Sequence, residues 1–212
     1  MDFTKHKVPI DTIIFDFGGV ILDIEYEKTE AALRELLAQE GGFSQATQTQ
    51  IFDDIETGQI TPEQFRGALR HEFKCPDIKD QDIDIAWNLM LGPIQSEKIE
   101  ILREARKHYR IFLLSNTNAI HLEAIQQTMT DAAGSPSAFE ELFENVYYSH
   151  VVGMRKPHAP IFQHVIEGNN LDPSRSLFID DSRQHVVGAK QCGLVVHHLT
   201  GRLEDFWRDA QL

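Results

Sequence analysis

The sequence predicts an open α/β fold: a parallel, Rossmann-like sheet with helices on both faces and a small helical cap inserted after the first strand. Three observations predict it. Short runs of β-branched and aromatic residues recur without polar alternation, as strands buried on both faces require. Helical patterns lie between the later runs. Between the first and second runs the chain carries helical patterns alone.

The first run is Thr12–Phe17 (TIIFDF), halted by Gly18-Gly19. Tyr109–Ser115 (YRIFLLS), Ser176–Asp180 (SLFID) and Leu194–His198 (LVVHH) follow, with a weaker run at Asn145–Ser149. Helices are expected over Glu97–Lys107, Ala119–Met129, Pro160–Glu167 and Ser182–Cys192, with Gly168 and Gly193 where C-terminal caps belong. Residues of roughly 24–92 read as consecutive helices without a strand. Lys28–Gln39 places Ala32, Leu33, Leu36 and Leu37 on one face and ends at Gly41-Gly42. Thr61-Pro62-Glu63-Gln64 is a helix start, with Thr as cap, Pro first and Gln third. Asp82–Leu91 adds a helix with Ile85, Trp87 and Leu89. Residues 1–23 and 93–212 are thus assigned to the α/β core and 24–92 to the cap.

Composition narrows the function. A chain of 212 residues fits one domain with an insertion, and a 42% apolar share suffices for a packed core. A net charge of −13 argues against nucleic acid, whose phosphates attract Lys/Arg surfaces, but not against a small anion met by a few local cations. Two separated cysteines, Cys75 and Cys192, fit a reducing compartment. Met1–Pro9 is polar and the next apolar run is broken by Asp16, so neither a signal peptide nor a spanning helix is read there. A cytoplasmic location without membrane partners is the expectation; the oligomeric state is left open.

In open α/β sheets, ligands sit at the carboxyl ends of the strands. There the sequence offers Asp16, Ser115-Asn116, Asp180-Asp181 and, just after the weak strand, Lys156 in GMRKP. Carboxylates, a hydroxyl and a lysine on one rim suit Mg²⁺ and a phosphate: the hard cation takes carboxylate oxygens, and Lys and metal offset phosphoryl charge. A carboxylate beside such a phosphoryl group can attack it and form an aspartyl-phosphate. Alone, Asp16 reads as an Asx-turn residue, Lys156 as a surface lysine and Asp180-Asp181 as a helix cap. Ten histidines match no common zinc spacing. His150, His158 and His164 read as surface or satisfied groups, and Trp87 as cap core. Asp23, Glu25 and Tyr26 read as hinge residues.

The order FDFGGV, LLSNTN, RKP and FIDD resembles the haloacid-dehalogenase-like hydrolases in all four motifs, across residues 12 to about 193. The helical insertion matches that family's cap. The resemblance implies Asp16 as nucleophile and metal ligand, Ser115 and Asn116 at the phosphate, and Lys156 as its cationic anchor. It implies Asp181 as principal acidic ligand of Mg²⁺, Asp180 in support, and the Gly18 carbonyl completing the protein's share. The pattern most resembles the branch that includes bacterial glucose-1-phosphate phosphatases, so a small phosphorylated metabolite is the implied partner. Family phosphatases usually carry a second Asp two residues after the nucleophile, where this chain has Gly18. A positioned acid is worth roughly 10²–10⁴-fold. Either the substrate has an easy leaving group, or another group such as His185 protonates it, or turnover is lost and the chain binds a phosphate ligand. A 2-haloacid dehalogenase also lacks the second Asp, but dehalogenation needs no metal, whereas Asp16 with Asp180-Asp181 forms an acidic cluster that asks for one.

Overall fold

The computed structural model describes residues 9–37 and 50–210. Five strands make one parallel sheet: β1 Thr12–Phe15, β4 Arg110–Ser115, β5 Asn145–Tyr148, β6 Ser176–Asp180 and β7 Val195–His198, in the order β5-β4-β1-β6-β7. β1 is wholly buried, and its side chains alternate between two apolar clusters. Ile13 and Phe15 pack with Ile99 and Leu102 of α5 (Ser96–His108) and Met129 of α7 (Gln126–Ala133). Ile14 packs with Ile161, Phe162 and Val165 of α10 (Ala159–Gly168) and Ala189 of α11 (Arg183–Gln191). The unbroken apolar run therefore reflects helices on both faces.

The cap contains α1 Tyr26–Leu36, α2 Gln50–Glu56, α3 Pro62–Glu72 and α4 Asp80–Asn88. Its apolar centre gathers Leu33, Phe52, Phe65, Leu69, Ile83 and Trp87. Thr61 caps α3 as its sequence predicts: its hydroxyl accepts from the Gln64 amide while the Gln64 side chain accepts from the Thr61 amide. Gln39 and Gly41-Gly42, expected at the end of the first cap helix, lie outside the described residues.

The structure corrects several boundaries. Residues 24–92 are not strand-free, because β2 Leu22–Ile24 and β3 Leu91–Ile94 pair antiparallel where the chain leaves and re-enters the core. The helix expected over Ala119–Met129 is two, α6 Ala119–Ala124 and α7, which meet at Ile125. Gly168 ends α10 inside the helix; Asn170 takes the left-handed conformation, φ 52°, that a short polar side chain tolerates. Gly193, φ 88°, stands where it was expected. Three further helices, α8 Pro136–Glu140, α9 Ser149–Val152 and α12 Leu203–Ala210, were not anticipated. Among the described residues no helix is long and apolar enough to cross a membrane.

Candidate active site

The sheet order reverses direction at β1, which lies between β4 and β6, so a crevice opens at their carboxyl ends. Asp16 follows β1 directly, with its amide donating to the Ile179 carbonyl and its Oδ1 accepting from the Phe17 amide. Lys156 arrives from the loop after β5, fully buried. Its Nζ donates to Asp16 Oδ1 at 2.6 Å, Asp180 Oδ2 at 2.7 Å and the Leu114 carbonyl at 2.9 Å. Asn116 fixes that loop from both sides: its Oδ1 accepts from the Lys156 amide and its Nδ2 donates to the Lys156 carbonyl, each at 2.9 Å. The side chain of Asn116 is thus committed to holding Lys156.

Asp180 has no exposed surface. Its Oδ1 accepts from the Ser182 amide, its Oδ2 from Lys156, and His185 Nδ1 lies 3.1 and 3.0 Å from the two oxygens. That ring nitrogen is spent on Asp180, so His185 orients a carboxylate here; its pKa is pushed down, chiefly by burial. Asp181 leans over Gly19, where an added Cβ would stand 2.1 Å from its Oδ2, and Gly19 has φ 79°. Both space and backbone angle demand glycine there. Gly18 faces the cap hinge: a Cβ on it would lie 3.2 Å from Ile24 Cγ1, so a larger residue must press on β2. Ser115 is buried, and its hydroxyl makes only a 3.5 Å contact with the Asn116 carbonyl.

The charges do not balance. Burial and the neighbouring Asp180 push the Asp16 carboxyl well above its ordinary range, and Lys156 only partly offsets them. Burial and Asp180 likewise raise Asp181. Asp180 is the low member: burial opposes its ionisation, yet Lys156 and His185 hold it below the usual carboxylate range. Burial disfavours the Lys156 ammonium, but Asp16 and Asp180 leave it above its ordinary value. Asp16 and Asp180 thus share one ammonium, and the charge of Asp181 acts on Asp16 as well. Ligand atoms of Asp16, Asp180 and His185 lie within 4.8 Å of one another. This excess of buried oxygen charge fits a hard divalent cation.

Tyr26 and His121 also bear on the site, although the sequence marked neither as functional. Tyr26 is the first residue of α1, just after the hinge strand β2. Crowding and the charges of Asp181, Asp16, Glu56 and Asp180 push its phenol upward. His121, three residues past Asn118, stacks on Trp87 of the cap at 4.8 Å and bonds Asn88 through Nδ1 at 2.7 Å. Trp87 therefore packs in the cap core and at the seam together. Asp23 pairs with Lys98 at 2.6 Å across the hinge, and Glu25 is the N-cap residue of α1. The two cysteines are unpaired.

Known proteins resemble this chain in sequence and fold. A D-ribitol-5-phosphate phosphatase of Bacteroides thetaiotaomicron is 28% identical over 186 residues, spanning 87% of this chain and 89% of its own. A HAD family enzyme from the same organism, solved with magnesium and inorganic phosphate, is 30% identical with a TM-score of 0.74, covering 89% of this chain and 93% of its own. An L-2-haloacid dehalogenase from Xanthobacter autotrophicus, 20% identical with a TM-score of 0.56 over 88% of this chain and 76% of its own, shares the fold. The family described as haloacid dehalogenase-like hydrolase matches residues 10–193, from just before β1 to the turn ahead of β7. Spanning most of the 212 residues, four of the five sheet strands and the cap, that match shows that the chain belongs to the haloacid dehalogenase-like hydrolase family.

Proposed function

We propose that the protein is a Mg²⁺-dependent phosphomonoesterase that hydrolyses a small sugar or polyol phosphate through an aspartyl-phosphate on Asp16. One observation carries the reading: Asp16 stands 2.6 Å from a fully buried lysine, among carboxylates that outnumber the local cations. Such a site suits a phosphate brought in with a divalent metal. The similarity to a D-ribitol-5-phosphate phosphatase supports the substrate class.

Asp16, Asp181 and the Gly18 carbonyl would hold Mg²⁺, with Asp180 in support. When bound, the ion supplies charge neutralisation for the phosphoryl oxygens and for Asp16. Lys156 binds the phosphate, Ser115 donates its hydroxyl to a phosphoryl oxygen, and Asn116 keeps Lys156 in register. The free Asp16 oxygen attacks phosphorus, the P–O bond to the alcohol breaks, and water then cleaves the acyl phosphate to release inorganic phosphate and restore Asp16. With Gly18 in place of an acid, the departing alkoxide takes its proton from solvent, so the rate depends steeply on leaving-group pKa. The acidic cluster disfavours a dehalogenase, whose attack on carbon needs no cation.

The test is turnover of p-nitrophenyl phosphate, glucose 1-phosphate and ribitol 5-phosphate, with Mg²⁺ and with EDTA, for wild type and Asp16→Asn. Activity is expected only with Mg²⁺, with a loss on the order of 10⁴-fold or more in Asp16→Asn. No turnover of any phosphate with Mg²⁺ overturns the reading in favour of a phosphate-binding protein. Chloride release from a 2-haloacid in EDTA overturns it in favour of a dehalogenase.

A further inference from the structure

Arg155 and Lys156 are sequence neighbours with opposite destinations. Lys156 turns inward to Asp16, whereas Arg155 reaches across to the cap. Its guanidinium pairs with Asp53 through Nη1 and with Glu56 Oε2 through Nη2 at 2.9 Å. Both acids belong to α2, three residues apart and hence on one helix face. On the Glu56 side the pairing is shielded, with the Arg155 side chain 11% exposed and that of Glu56 16%, whereas Asp53 is 38% exposed. Shielded pairs with two partners hold geometry in a way that exposed ones do not. Just beyond α2, Gly58 at φ 66° lies so close to α9 that a Cβ on it would stand 2.3 Å from the His150 carbonyl. The end of α2 therefore rests directly on the core at the point where Arg155 grips it.

The backbone beneath Arg155 is the backbone that Asn116 fixes at Lys156. Glu56 also lies close to the site: its charge acts on Tyr26 together with those of Asp16, Asp180 and Asp181.

We propose that Arg155 is a positioning residue that clamps α2 of the cap onto the phosphate-anchoring loop, so that the cap closes on the substrate. This rests on the phosphatase reading for its kinetic arm alone. Arg155 acts through Asp53 and Glu56, not on the reacting atoms, so its loss weakens substrate capture more than chemistry.

The experiment compares wild type with Arg155→Ala and Arg155→Lys. KM and kcat are measured with Mg²⁺ on ribitol 5-phosphate and p-nitrophenyl phosphate. Acrylamide quenching of Trp87 is measured in a Trp207→Phe background. Arg155→Ala is expected to raise KM about tenfold or more, equivalent to about 1.4 kcal/mol, with kcat changed less than about threefold. It should also expose Trp87 to quencher. Arg155→Lys should recover part of the loss in KM. Unchanged KM with unchanged quenching overturns the clamp. So does a fall in kcat at constant KM, which would mean that Arg155 serves Lys156 instead. If wild type turns over no phosphate, the proposed function fails while the quenching comparison still decides the clamp.

Discussion

The core site and the cap are held by different forces. At the carboxyl ends of the strands, buried charges are locked into hydrogen bonds with backbone groups: Lys156 on the Leu114 carbonyl, Asp180 on the Ser182 amide, Asn116 on the Lys156 backbone. The cap coheres through apolar contact among Phe52, Phe65 and Trp87, with ring centroids 5.2–5.7 Å apart. Polar contacts supplement it inside the cap, as in the bidentate Arg66–Asp84 pair, and at the seam with the core. Buried charge in a fixed frame tolerates no rearrangement, because each displaced group loses its solvation substitute. An apolar cluster on two hinge strands can move as a body. Division of labour between a rigid chemical floor and a movable roof follows from that contrast.

The contrast breaks most sharply at Lys156. Lys156→Met keeps much of the volume but leaves Asp16 and Asp180 buried without their ammonium. Removing one partner of a buried pair costs about 3–5 kcal/mol, so urea unfolding of the metal-free protein should shift by that amount. The signal to follow is Trp207 on α12, which reports the core. A shift below about 1 kcal/mol would show that the carboxylates are not dependent on Lys156, and that the floor is softer than its hydrogen bonds imply.

Phe52→Ala is the corresponding break in the roof. Phe52 is 3% exposed and contacts both Phe65 and Trp87. Truncating a core aromatic costs about 3–5 kcal/mol, here concentrated in the cap. The Trp87 transition is expected to move to lower urea while Trp207 moves little, separating the two regions into two steps. Coincident shifts of both signals would instead mean that cap and core unfold as one unit.

The sequence shows much of the floor and less of the roof, and the reason is physical. A strand buried on both faces leaves a run such as TIIF or SLFID that no helix period imitates, and the strand-end carboxylates follow by position. The hinge strands Leu22–Ile24 and Leu91–Ile94 escape because each is short, one contains Gly92-Pro93, and each is a strand only by pairing with the other. The partners of Arg155 escape for a similar reason: Asp53 is 102 positions away, and nothing local to either residue announces the contact. His121 reads as one histidine among ten until Trp87 is laid against it. Even Gly18, visible as a departure, needed Ile24 in place to show that the position is crowded as well as uncharged.

The seam between the two regions should respond to acid through His121. Burial pushes its imidazole pKa down to about 3, against an unfolded value of about 6.5. Below about pH 6.5 the unfolded chain takes a proton that the buried ring refuses, so stability falls as pH drops toward 3 and is fully present above 6.5. The loss approaches about 1.4 kcal/mol per pH unit, or about 2 kcal/mol between pH 7 and pH 5 for this one group. His197, pushed to about 4 chiefly by burial, adds the same sign of effect in the core, where it stacks on Phe206 at 3.9 Å. The two tryptophans separate these contributions. His121→Phe keeps an aromatic ring against Trp87 but cannot titrate, and it forfeits the bond to Asn88 at every pH. Its Trp87 transition should therefore start lower at pH 7 yet lose its acid slope, while the Trp207 transition keeps the slope that His197 imposes. If the Trp87 slope between pH 7 and pH 5 survives His121→Phe intact, the acid sensitivity of the cap lies elsewhere, and the seam histidine is a packing residue alone.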